Sequence, residues 1–128
     1  MTIAANQRVV LEKTTPKYTA YVRDAEGVVI PAADLTTLTL SLKNKADSST
    51  INSRSALSAL NANDVTVHAT SGLVTWQTVV ADTTLVSTSL ALGETEERVY
   101  TFIWTYGGGV KRGTHEESFF VKNALSVT

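Results

Sequence analysis

The side chains of this 128-residue chain with chemistry to offer are two histidines, His68 and His115, and a scatter of carboxylates. The histidines fall in different extended runs. They lack the His-x-x-x-His spacing that turns two imidazoles toward one metal on a helix face. There is no cysteine, which excludes a thiolate zinc site. Nucleophilic catalysis needs a hydroxyl or thiol, a base and a group that orients the base. Serines are present, but no Gly-x-Ser-x-Gly elbow singles one out.

Glu94, Glu96 and Glu97 crowd one acidic segment, and Glu116-Glu117 form another. Two carboxylates roughly 5–10 Å apart serve glycoside hydrolysis. Adjacent residues of a strand, however, point to opposite faces, so Glu116 and Glu117 do not line one pocket. Asp24-Ala-Glu-Gly27 has oxygen ligands without the twelve-residue calcium loop and reads as a turn. Gly107-Gly-Gly109 precedes no helix and no Lys-Ser/Thr, so it connects a hairpin rather than cradling phosphate. The expectation is a protein without catalytic residues, cofactor or metal.

The elements that position these groups are extended. Arg98 to Tyr106 alternates aromatic and smaller residues, the glycines follow, and Thr114 to Lys122 is a second extended run. That is a β-hairpin pattern. Tyr100, Phe102, Trp104 and Tyr106 share one face; Val99, Thr101, Ile103 and Thr105 share the other. A strand apolar on both faces calls for double burial or for a partner, and both readings stand at this level. Trp76 reads as a core tryptophan.

Upstream, Leu38, Leu40 and Leu42 alternate with Thr37, Thr39, Ser41 and Lys43, the pattern of a sheet buried on one side. Val65–Ala69 and Leu73–Val80 flank Ser71-Gly72, which reads as a tight two-residue hairpin connection. Ser53 to Leu60, with Leu57 and Leu60 three apart, suggests one helical turn. Ala81 to Val86 suggests a short helical crossover, and Thr88 to Leu92 an extended segment. The sum is an all-β, antiparallel Ig-like β-sandwich of about seven strands over residues 17–128. Residues 1–16, with Val9, Val10 and Leu11, form an N-terminal arm or edge strand.

Composition narrows the function classes. Thr and Ser number 20 and 11, which favours pleated sheet over helix. A net charge of −1 with only Lys111-Arg112 as a basic pair argues against nucleic acid as a partner. No apolar run approaches the ~20 residues of a membrane span, and the first residues lack the form of a signal peptide. Synthesis in a cytoplasm is expected.

The order of segments is similar to that of a known group. Tyr18-Thr-Ala-Tyr-Val-Arg-Asp-Ala-Glu-Gly27, Leu35 to Leu42, Ser71-Gly-Leu-Val-Thr-Trp76 with Ala81-Asp82, and Glu97 to Val121 resemble tailed-bacteriophage Ig-like virion proteins. The likeness is to the N-terminal domain of baseplate upper proteins and to small head, neck and tail accessory proteins. It covers about residues 17–123 as a pattern of strands and turns, and it carries over no site residues. It implies a non-enzymatic structural protein, made in the host bacterial cytoplasm and built into the virion in many copies. The partners implied are other virion proteins and further copies of the chain in a homo-oligomer, for capsid decoration, a neck or connector ring, or a tail accessory. The alternative is a carbohydrate-binding or host-adhesion module using Tyr100 and Tyr106 as an aromatic platform. Candidate contact residues are Val9, Leu11, Val99, Tyr100, Ile103, Tyr106, Lys111 and Arg112.

Overall fold

The computed structural model describes residues 6–86 and 90–124. Eight strands are formed among them: β1 (Val9–Leu11), β2 (Lys17–Tyr21), β3 (Leu35–Asn44), β4 (Leu57–Ser58), β5 (Val65–Val67), β6 (Leu73–Gln77), β7 (Thr95–Tyr106) and β8 (Lys111–Lys122). They make two layers, a five-stranded sheet in the order β1-β8-β7-β3-β4 and a three-stranded sheet in the order β2-β6-β5. This is the Ig-like arrangement, with β3, β7 and β8 in the places of strands C, F and G, and β2, β6 and β5 in those of B, E and D. One pair departs from an antiparallel sandwich: β1 runs parallel to β8, with Val9 beside Phe120 and Leu11 beside Lys122.

The β7–β8 hairpin is the longest paired unit, in unbroken register from Thr95↔Lys122 to Tyr106↔Lys111. Its four-residue connection holds three successive glycines at φ +62°, +71° and +87°. Each is a left-handed conformation that costs a side-chain-bearing residue roughly 1–2 kcal/mol. The β5–β6 connection is longer than the two-residue turn expected of Ser71-Gly72. The His68 amide donates to the Leu73 carbonyl at 2.9 Å, leaving four residues in the loop. Gly72 is still required there, because a Cβ on it would lie 2.8 Å from the Ile30 carbonyl oxygen.

The turn expected at Asp24 forms: its Oδ1 accepts from the amides of Glu26 and Val28 at 3.0 and 2.9 Å. The helical turn expected over Ser53–Leu60 does not. Asn52, Ser53 and Ala56 take positive φ, which breaks helical winding, and Leu57–Ser58 pair with β3 as β4. The Ala81–Val86 crossover begins with one 3-10 turn, Val80–Asp82. Of the Thr88–Leu92 segment, Thr88 and Ser89 lie outside the described residues; Leu90–Leu92 are described and form no strand.

The core lies between the sheets. Leu38, Leu40 and Leu42 are buried on β3 as their alternation requires. An aromatic cluster links the layers: Tyr18 and Trp76 from one sheet meet Tyr100 and Phe119 from the other at centroid distances of 4.9–6.4 Å. Stacked, tilted and edge-on pairs of this kind each add about 0.5–1.5 kcal/mol beyond their buried area. Trp76 is fully buried.

Candidate interaction face

Strand alternation divides the hairpin residues between two environments. Glu96, Arg98, Tyr100, Phe102 and Trp104 of β7 turn inward and are buried. Glu97, Val99, Thr101, Ile103 and Thr105 turn outward and stay partly exposed. The register adds Thr37, Thr39, Ser41 and Lys43 on one flank, and Arg112, Thr114, Glu116, Ser118, Phe120 and Lys122 on the other. Val9 and Leu11 extend this outer face past β8 and are 56% and 48% exposed.

The face carries apolar and β-branched groups with charges at its margins. A trough of about 310 Å³ is floored by Val99, Thr101 and Ile103 and flanked by Ser41, Lys43 and Glu116. A broader hollow of about 620 Å³ continues from it past Val99 toward Gln7, Arg8, Lys45 and Glu97. Lys45 Nζ lies 3.5 Å from Glu97 Oε2, an exposed pair worth little in water. Val99 and Ile103 are partly buried on this face. No described segment crosses Val99 and Ile103.

The other candidates take different places. Tyr100 is not on a surface: it is completely buried, because position 100 faces the opposing sheet. Its hydroxyl donates to Glu117 Oε2 at 2.8 Å. Burial foremost, then the Glu117 carboxylate, push the Tyr100 hydroxyl well above the ordinary tyrosine range, and the same two causes raise Tyr18. Tyr106 is half-buried, and its hydroxyl accepts from the Ala25 amide at 3.1 Å, closing one end of the sandwich. With Tyr100 inside, the two rings form no exposed platform. Lys111 and Arg112 are exposed at the start of β8, beside Val110, which is 87% exposed at the hairpin tip.

The histidines and carboxylates are dispersed. His68 Nδ1 accepts from the amide of Ser71 at 3.1 Å and so caps its own loop. His115 Nε2 lies 3.3 Å from Glu117 Oε1 but is out of line for a hydrogen bond. Glu116 and Glu117 do face opposite ways, the first to the outer face and the second to Tyr100. Among the described residues, no three His, Asp or Glu converge to hold a metal ion.

A buried ionic network has no counterpart in the sequence reading. Arg54 donates from Nε and Nη2 to the two Asp82 carboxylate oxygens at 2.7 and 3.1 Å, and its Nη2 reaches Asp64 at 2.9 Å. Burial alone depresses the guanidinium; the Asp82 and Asp64 contacts outweigh it and hold Arg54 above its ordinary value. Arg98 donates to the carbonyls of Asp82 and Thr84 at 2.6 and 2.7 Å and to Glu96 at 2.8 Å. Together these groups tie the β6–β7 crossover to the loop after β3. Comparison with known proteins gave no match to any family model, curated protein or solved structure.

Proposed function

We propose that this chain is a non-enzymatic structural domain that works by being held against neighbouring proteins, through the outer face of its five-stranded sheet. One observation carries the reading: Val99, Ile103 and Phe120 stand partly exposed on that face among threonines, with the exposed Val9 and Leu11 beside Phe120 and Lys122. A solvated antiparallel sheet ordinarily shows a polar outer face. Apolar groups at such positions, set among threonines, suit contact with another protein.

The setting we propose is the tailed-phage particle, as an accessory of capsid, neck or tail, supported by the resemblance in the order of segments. On a repeating lattice, weak contacts of each copy combine into firm attachment. Mass spectrometry of purified particles tests this. The chain is expected at tens of copies per particle; particles that lack it would overturn the reading.

A further inference from the structure

We infer that the outer face pairs with the same face of a second copy, about a two-fold axis running along β7, with Lys43 of one copy against Glu116 of the other. The inference rests on the outer face being the contact surface and names its first occupant.

The register supplies the geometry. β3 and β8 flank β7 on opposite sides. Lys43 aligns with Val99 and Ser118, whereas Glu116 aligns with Thr101 and Ser41. The two charges therefore stand on opposite banks of the trough, two residues or roughly 7 Å out of step along the strands. Both are exposed.

A two-fold axis lying in the interface and parallel to β7 carries β3 of one copy over β8 of the other. Lys43 then comes within side-chain reach of Glu116, and symmetry creates the same pair a second time. Val99, Thr101 and Ile103 meet their own counterparts at the centre, where desolvation contributes most. Glu97 meets its own counterpart beyond Val99, with Lys45 of the same copy 3.5 Å from each carboxylate. An axis across the strands instead keeps Lys43 over β3 and Glu116 over β8, so the two do not meet. Of the two axes, only the first brings Lys43 to Glu116.

Size is also suitable. β7 and β8 are twelve residues each, which with β3 gives a face of roughly 40 by 15 Å, about 600 Å² per copy. Val9 and Leu11 enlarge it toward the ~800 Å² per partner of a standard interface.

Sedimentation velocity from low to high micromolar concentration, on the full chain, tests the pairing. The chain is expected to show a monomer–dimer equilibrium that weakens with added salt. Lys43→Glu and Glu116→Lys should each weaken the dimer about tenfold or more, and the double charge swap should recover most of the affinity. Unchanged circular-dichroism spectra would establish that all three variants fold. A monomer at every concentration, indifference to Lys43→Glu, or no recovery in the double variant would each overturn the pairing. Failure here is separable from failure of the particle assignment: a chain found in particles but monomeric in solution loses only the dimer.

Discussion

Arg54 and Asp82 form a bidentate ion pair in the interior, with side chains 2% and 0% exposed. Asp82 also accepts from Asn52 Nδ2 and from the Val79 amide, at 3.0 and 2.8 Å. Removing Asp82 leaves the buried Arg54 with only the half-exposed Asp64 as a charged partner, and breaking a buried pair costs about 3–5 kcal/mol. Asp82→Ala should lose stability in that range by urea denaturation. The double replacement Arg54→Met/Asp82→Leu should lose less than Asp82→Ala alone, because it leaves no buried charge unpaired at the pair itself.

Gly113 sits opposite Trp104 in the β7–β8 register. A Cβ there would fall 2.6 Å from indole Cζ2 and closer still to Nε1, which donates to the Arg23 carbonyl at 3.2 Å. Gly113→Ala should therefore cost about 1–3 kcal/mol, the usual range for overpacking. Adding Trp104→Phe, which shrinks the ring, should return part of that loss in the melting temperature.

Alkaline pH should unfold the domain through Tyr18 and Tyr100. In the unfolded chain both hydroxyls ionise near pH 10. In the fold they keep their protons to higher pH, because burial and Glu117 disfavour the phenolate. Their contribution is therefore constant below about pH 10 and falls as pH rises above it, by roughly 2.7 kcal/mol per pH unit for two groups. Urea titrations should show this slope, and Tyr100→Phe should about halve it. A slope identical in the variant would refute the assignment.

Much of this architecture was legible because strand periodicity reports burial directly. Leu38, Leu40 and Leu42 against Thr37, Thr39 and Ser41 gave the inward face of β3, and Tyr100, Phe102 and Trp104 gave that of β7. Consecutive Phe119-Phe120 also carried a readable signal, since one of two neighbouring strand residues must face outward. Lys43 and Glu116 followed from the same alternation, but their opposition across the trough depends on inter-strand register.

The remainder depended on long-range placement. Arg54, Asp82, Glu96 and Arg98 are charged, and charged residues are ordinarily exposed; their burial needs partners up to 28 residues apart that composition cannot pair. Leu57 and Leu60 had helical spacing, but the positive φ of Asn52, Ser53 and Ala56 overrode it locally. The parallel pairing of β1 with β8 joins segments over a hundred residues apart, with no local signal of direction.

That parallel pairing has a mechanical consequence. Because Val9 lies beside Phe120 and Leu11 beside Lys122, the preceding chain departs at one end of the ladder and the following chain at the other. Tension along the polypeptide loads these hydrogen bonds side by side in shear, whereas an antiparallel pair at that place would peel bond by bond. Stretching single molecules should register one abrupt rupture of the β1–β8 seam before the sandwich yields.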